Sequence, residues 1–572
     1  MVSSPDKAVE GAEAVAFDVF GTLTCRPFLE PRDLFGYLED EFSAPGFAEA
    51  RVKAERKARE KDRETRLEGI YSSMDSMYAR MMKEEIRAEV SLSFADPEAK
   101  NLFERARSSG KRIVLVSDMY LSSGTISDIL EHCGYSGWER LFVSCEEKIS
   151  KRNGLWKNVL AYLGLSPHSV AVIGDGPNAD IGSSAALGMD AVRWIPMTER
   201  YLSRHRSEAR FAEKNPCWQA SAVAAMDMLS ESSSDKDEAY MHKVSRRFGG
   251  PMNAVFARFI VEHTQKAEEL LFLSRDGYMP MRSWETLYGG RAHAYLHTSR
   301  MMARIFGSPN WERRDAVLSM ADYMLRRGII GPNEASRRDW RRFAEEHREE
   351  MDRLSAEGRV RCAKHIVSAA GSPVSAAVVD ATTKSFTAQR DLSDYMRGTE
   401  LEGCYYAVTA EGGPDHSCYA DRSEQKLSST YVNLTEFFMA SGEPPLDDFN
   451  EDGEPVPATQ IPEDERIREE AFPQIEAGIM DCVKLWKDVF GQRVPRIDWH
   501  IMDSWLDVLI AEEHGNDPCT LSGMKWAVDT RHVITRHLIV RWTDLPRLAA
   551  YKVAVRAYNA LAKRRRTRRL SK

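Results

Sequence analysis

Three apolar runs of strand length, each breaking off into acidic, hydroxyl or glycine residues, set the first limit on how this chain can fold. They are AVAFDVFGTLT ending at Thr24, RIVLVSD ending at Asp118, and VAVIGDGPNAD ending at Asp180. A short run that is apolar throughout fits a strand buried on both faces of a parallel sheet. Polar residues at its end then fall on the carboxyl edge of that sheet, where open α/β folds place their sites. Asp18, Ser117, Asp175 and Asp180 are therefore expected at one edge, and Lys151 in ISKRNG adds a cation. Asp18 and Asp175 supply hard oxygen ligands that suit Mg²⁺, with Asp180 as a further ligand or a partner of those ligands.

Asp18 and Ser117 lie much further apart in the chain than one β-α-β crossover requires. The stretch between them reads as helix: LFGYLEDEF, then the charged EARVKAERKAREKDRETR, then IYSSMDSMYARMMKEEIRAEV. Ile70, Met74, Met77 and Met81 recur at helical spacing, while Glu55 with Arg59 and Asp62 with Arg66 suit an exposed face. The charged segment reads as a solvated helix, not a binding patch.

In this order the segments resemble the four motifs of the haloacid dehalogenase-like (HAD) hydrolase superfamily. Those motifs are a nucleophilic Asp after a strand, a Ser/Thr after a strand, a Lys, and Gly-Asp-x-x-x-x-Asp. The resemblance implies that Asp18 attacks phosphorus to form an aspartyl-phosphate, which water then opens. It implies that Ser117 hydrogen-bonds a phosphoryl oxygen, that Lys151 neutralises charge there, and that Gly21 and Thr22 shape the loop. It also implies that the Phe20 carbonyl joins Asp18, Asp175 and Asp180 around Mg²⁺. The helical insertion at about residues 31–107 corresponds to the superfamily's cap, which closes over the site. Lys148 competes with Lys151, but NGLWKNVLAYLGL after Lys151 reads as the helix expected there.

One residue departs from the pattern. Most HAD phosphatases carry an Asp two positions after the nucleophile as general acid, and here that position is Phe20. Proton transfer of that kind is worth roughly 10²–10⁴ in rate, so unaided phosphomonoester hydrolysis should be slow. Haloacid dehalogenases also have an aromatic residue there. They need no metal, however, and usually lose the Gly-Asp-x-x-x-x-Asp pattern that this chain keeps.

At 572 residues the chain exceeds a single core, and roughly 100–200 residues per domain implies three or four units. No run approaches the roughly 18 apolar residues that cross a bilayer, and MVSSPDKAVEGAEA has no apolar signal region. Nine scattered cysteines without a C-x-x-C pair read as reduced thiols. A cytoplasmic protein is expected, with a peripheral location at the inner membrane as a further option. The net charge of −8 gives no general reason for nucleic acid binding.

The fold expected is α/β throughout. A Rossmann-like HAD domain occupies 12–200, with its core in 12–30 and 108–200. A connection follows at 201–245, most linker-like at ESSSDKDEA, then a second α/β module at 246–490 and a helical C-terminal region at 491–572. In the second module LLFLS, HAYLHTSR, SAAVVD and GCYYAVT read as strands separated by helical patterning. Their ends carry Arg275, Asp276, Arg300 and Asp380, and two readings stay open: a second anion or nucleotide-sugar site, or structural ion pairs. The acidic DDFNEDGEP does not match the spacing of a calcium loop.

Over about residues 12–490 the pattern FDxF…TL, VSDMYL, GPM…FARF, FLSRDGY, SR, VVD…Q and LTEFF is similar to one subgroup of the superfamily. These are large bacterial HAD-like proteins associated with surface-polysaccharide synthesis. The likeness implies a phosphorylated small molecule or glycan precursor as substrate, and a glycosyltransferase as a partner. A weakly catalytic scaffold is the rival reading. Where subgroup members carry glycines after the strand ending at Asp380, this chain has Ala381, Thr382, Thr383, Lys384 and Ser385. The basic end, KRRRTRRLSK, follows Leu548, Tyr551, Val555, Tyr558 and Ala562 at helical spacing. It is expected to contact an anionic membrane surface or a protein.

Overall fold

A computed structural model describes residues 4–539 apart from 235–236, 308, 335–338, 425–428, 460, 514–519 and 528–534. The chain divides into two units, one of residues 1–236 and 485–508, the other of 237–484 and 509–572. Each is built on a parallel five-stranded sheet. The fold is α/β, as the apolar runs require.

The first sheet contains β1 (Ala14–Asp18), β2 (Arg112–Ser117), β3 (Arg140–Val143), β4 (Val170–Gly174) and β5 (Asp190–Arg193). Its spatial order is β3-β2-β1-β4-β5, with every pair parallel. Because side chains alternate across a strand, one face presents Val15, Phe17, Ile113 and Leu115 to Leu102, Phe103, Ile126 and Ile129. The other presents Ala14, Ala16, Val114 and Val172 to Leu155, Trp156 and Val159 of helix Leu155–Leu163. Both faces are dry, which is why these strands read as unbroken apolar runs.

The insertion after β1 is helical, with helices Asp33–Glu41, Phe47–Lys61, Leu67–Tyr71, Met81–Ser91 and Pro97–Ser108. A two-residue antiparallel ladder, Thr24 with Ala95 and Cys25 with Phe94, ties its two ends together. The third expected helix is broken between Tyr71 and Met81. There the Asp75 side chain accepts from the Met77 N–H and the Ser72 hydroxyl donates to the Gly69 carbonyl, so local polar bonds replace helical ones. Met77, placed on the apolar stripe by its spacing, is consequently 62 % exposed.

Residues 201–245, expected as a connection, are largely helical instead, in Met197–Arg204, Arg206–Lys214, Trp218–Ser233 and Tyr240–Val244. Every residue from Ala220 to Ser230 is buried. Small side chains in QASAVAAMDMLS allow close packing on all sides, and the Tyr201 hydroxyl donates to the buried Asp227 carboxylate at 2.6 Å.

The second sheet contains β6 (Glu269–Leu273), β7 (Ala292–Leu296), β8 (Ser375–Thr383), β9 (Glu400–Val408) and β10 (His416–Asp421) in the order β10-β9-β8-β6-β7. Leu271, Leu273, Ala376 and Val378 pack on Ile366, Ala370 and Leu392. The acidic loop 447–455 lies in a short antiparallel hairpin, Leu446–Phe449 with Pro455–Pro457. Asp448 points inward there, accepting from Tyr323 and from Arg327 and Arg361.

In the C-terminal region, helix Trp499–Glu512 is followed by a small antiparallel pair, Lys525–Ala527 with Thr535–His537, where helix was expected. The basic tail and the stripe from Leu548 to Ala562 lie outside the described residues. Among the described residues no helix is long and apolar enough to cross a membrane.

Candidate active site

The order of the first sheet reverses between β1 and β4, and at such a switch point the following loops part to leave a crevice. Asp18 ends β1, and Asp175 follows β4 directly. Asp18 pairs in register with Val116, so Ser117 ends the next strand at the same edge. One oxygen from each of Asp18, Asp175 and Asp180 lies within 4.8 Å of the others.

Loop chemistry fixes these positions. Gly21 has φ +80°, and a Cβ there would lie 2.7 Å from Asp175 Oδ2, so the turn needs glycine for its conformation and for its clearance. The Thr22 hydroxyl donates to Asp18 Oδ2 at 3.0 Å. The Gly176 N–H donates to Asp180 Oδ2 at 2.8 Å, and the Trp156 indole donates to the Ala179 carbonyl at 2.9 Å.

Lys151 is buried between two of the acids. Its ammonium donates to Asp18 Oδ1 and, at 2.6 Å, to Asp180 Oδ1. Lys148, the competitor, is exposed and pairs with Asp62 at 2.8 Å, so Asp62 turns to Lys148 and not to Arg66. The choice between the two lysines follows from these partners. Sequence reasoning assigned no role to Asp118, which accepts the Lys151 backbone N–H at 3.0 Å and so sets where the lysine begins. The only signal was its place directly after Ser117.

Burial pushes the Asp18 carboxyl up to about 7; Asp180 and Asp175 add to the rise and the Lys151 ammonium opposes it. Burial would lower Lys151, but Asp18 and Asp180 outweigh it and hold the ammonium above its ordinary range. Asp175 is raised, by burial first and then by Asp180. One lysine thus faces three converging carboxylates. The surplus negative charge and the oxygen-only donor set fit a hard divalent cation such as Mg²⁺.

Ser117 is buried, and among the described residues its hydroxyl has no protein partner. Phe20 packs its half-buried ring beneath the Arg26 guanidinium, 5.1 Å from the ring centre, and Arg26 pairs with Glu89 at 2.6 Å. An aromatic–cation stack occupies the position of the usual acid.

All four second-module candidates line one cavity, but among the described residues they belong to no group of three metal-ligating side chains. Arg275 makes a two-pronged ion pair with Glu465 at 2.6 and 3.1 Å, an acid outside the four candidates. Asp276 follows β6 and Asp380 lies within β8, opposite the end of β6, where Val379 pairs with Phe272. Arg300 begins a short helix after β7.

Residues 12–188 match the family model described as "Hydrolase: haloacid dehalogenase-like hydrolase". With the acidic cluster in place, this part of the chain is a HAD-family hydrolase. Among solved structures, the chain is similar to the L-2-haloacid dehalogenase of Xanthobacter autotrophicus, with 16 % identity over 34 % of this chain and 82 % of that one, TM-score 0.26. It is also similar to a 2-haloacid dehalogenase of Pseudomonas syringae, with 15 % identity over 32 % and 86 %, TM-score 0.26. A third is a HAD family enzyme of Bacteroides thetaiotaomicron in complex with magnesium and inorganic phosphate, with 15 % identity over 32 % and 94 %, TM-score 0.26. No curated protein matches this chain.

Proposed function

We propose that the first unit is a Mg²⁺-dependent phosphohydrolase or phosphotransferase that works through an aspartyl-phosphate at Asp18. The observation that carries this reading is the convergence of Asp18, Asp175 and Asp180 within 4.8 Å around a buried lysine. A carboxylate cannot approach a phosphoryl group unless positive charge lies between them. Asp18, Asp175, Asp180 and the Phe20 carbonyl would hold Mg²⁺, which would supply that charge and favour the ionised form of Asp18.

The chain's own groups do the rest. Thr22 holds Asp18 Oδ2, leaving Oδ1 beside the lysine to attack phosphorus in line while the ester oxygen departs. Lys151 stays protonated and balances charge on the equatorial oxygens, and the unpartnered Ser117 hydroxyl donates to one of them. Water then attacks phosphorus, breaking the P–O bond to Asp18 and restoring the carboxylate. Phe20 offers no proton to the leaving oxygen, so substrates with good leaving groups turn over best.

Phe20 also favours a second reading, metal-independent dehalogenation, in which Lys151 alone neutralises the site. It leaves Asp175 and Asp180 without a task. A role on phosphorylated precursors of surface polysaccharide, beside a glycosyltransferase, is supported by the resemblance of the longer pattern. A scaffold that only binds such a precursor is the alternative.

The test is hydrolysis of p-nitrophenyl phosphate by the full chain. Slow Mg²⁺-dependent turnover that disappears in Asp18→Asn supports the proposal, whereas turnover that survives this change or excess EDTA removes it.

A further inference from the structure

The second sheet places its strands in chain order 2-1-3-4-5, with β7 on one side of β6 and β8 to β10 on the other. Its order reverses between β6 and β8, and the crevice beyond their carboxyl ends is where this topology binds ligands. A cavity of about 1090 Å³ lies there, lined only by residues of the second unit. That volume is just above the roughly 300–1,000 Å³ of small-molecule sites, so it fits a ligand of nucleotide size better than a lone phosphate.

Its wall carries acids as well as cations; Glu436 and Glu443 accept from the Thr382 and Tyr295 hydroxyls, and the cations are of two kinds. Arg275, Arg304 and Arg326 are paired with their own partners, Glu465, Asp315 and Asp447. Among the described residues Arg300 and Lys384 make no ion pair, although Arg300 lies near enough to Asp380 to oppose the rise of its carboxyl, and they approach from opposite sides, after β7 and after β8. The loop carrying Lys384 is rich in hydroxyls. Thr383 accepts the Phe386 N–H at 3.0 Å, and Ser385 and Thr387 share a hydrogen bond at 2.7 Å. Phe386 has φ +51°, which turns the chain into the nine-residue helix Thr387–Tyr395. The first N–H groups of a helix favour negative charge.

Asp276 and Asp380 lie at the switch point itself. Asp380 is raised well above its usual range, by burial first and then by Asp276. The two do not belong to a three-carboxylate metal cluster; among the described residues that arrangement occurs only at Asp18, Asp175 and Asp180. Two carboxyl groups facing a cavity without a metal ligand set accept hydroxyl donors, as ribose or sugar hydroxyls are.

We infer that this cavity binds a nucleoside diphosphate, free or as its sugar ester, with Arg300, Lys384 and the Ser385–Thr387 loop taking the phosphates and Asp276 and Asp380 the ribose or sugar hydroxyls. The site is separate from Asp18 and does not depend on the chemistry proposed there.

Calorimetric titration of the full chain with ADP, GDP and UDP in EDTA tests it, with inorganic phosphate and glucose 1-phosphate as comparisons. At least one nucleotide should bind at least tenfold more tightly than either comparison. Arg300→Ala and Lys384→Ala should each weaken it at least tenfold without changing the melting temperature. Asp276→Asn should weaken the nucleotide but not inorganic phosphate, and Lys151→Met should leave nucleotide binding intact. Absence of binding by all three nucleotides up to millimolar concentration overturns the inference. So does binding that is lost in Lys151→Met, unaffected in both cation variants, or matched by glucose 1-phosphate.

Discussion

Lys151 Nζ stands 2.6 Å from Asp180 Oδ1 and at the same time touches Asp18, so a single buried ammonium joins the carboxylate that ends β1 to one in the loop after β4. Removing one member of a buried, hydrogen-bonded set typically costs about 3–5 kcal/mol, because the charges left behind are uncompensated. Lys151→Met should therefore unfold at lower urea and lose about 10²–10³ in kcat. Because the same carboxylates would hold Mg²⁺, added Mg²⁺ should recover part of the variant's stability. A urea midpoint that ignores Mg²⁺ in this variant contradicts the donor set.

Gly21→Ala tests the close approach of the two loops. The new methyl must sit 2.7 Å from Asp175 Oδ2 in a left-handed backbone, at a cost of about 1–3 kcal/mol. Asp175 must move, so Mg²⁺ affinity measured by titrating activity should fall by more than kcat. Unchanged Mg²⁺ dependence would show that Asp175 does not hold the cation.

Phe20→Asp restores a proton donor. Its effect should grow as the leaving group worsens, up to about 10²-fold on an alkyl phosphate and little on p-nitrophenyl phosphate. Equal effects on the two substrates would mean that proton supply does not limit this site.

In the second unit, His365 has a fixed tautomer. Its Nδ1–H donates to the Gly453 carbonyl at 3.1 Å, while Nε2 accepts the His297 N–H at 3.0 Å and so has no room for a proton. Burial first, then His297, lowers its pKa from 6.5 to about 4. Between those values the unfolded chain binds the extra proton, so stability is complete above about pH 6.5 and falls as pH drops toward 4. With solvent screening allowed for, the loss from pH 7 to pH 5 should be about 1–2 kcal/mol. In chemical denaturation the change in stability between pH 7 and pH 5 should differ between wild type and His365→Gln by about this amount, the wild type losing more; equal changes in the two proteins would remove the assignment.

How far the sequence reveals the molecule depends on whether a residue's task is set by its neighbours in the chain. β1, β2 and β4 are legible because both faces are buried, and their apolar runs end where the sheet does. β10, HSCYAD, is not, because this edge strand is half-exposed along most of its length and has no run to see. Asp18, Asp175 and Asp180 follow from position after a strand. Arg51 shows the limit. It lies in a charged segment that reads as solvated, yet it is fully buried, paired with Glu85 at 2.8 Å and sandwiched by Phe35 and Tyr120. Glu85 sits 34 residues further on, so no local pattern announces the pair. Asp448 is similar, since its partners Tyr323, Arg327 and Arg361 come from two distant helices.

The central claim is that Asp18 carries the phosphoryl group. Reduction with borohydride during turnover of p-nitrophenyl phosphate converts an aspartyl-phosphate to homoserine, and peptide mass mapping locates it. The account predicts homoserine in place of Asp18, formed only with Mg²⁺ and at a greatly reduced rate in Lys151→Met. An unmodified Asp18 peptide during steady turnover, or homoserine at any other aspartate, would contradict it.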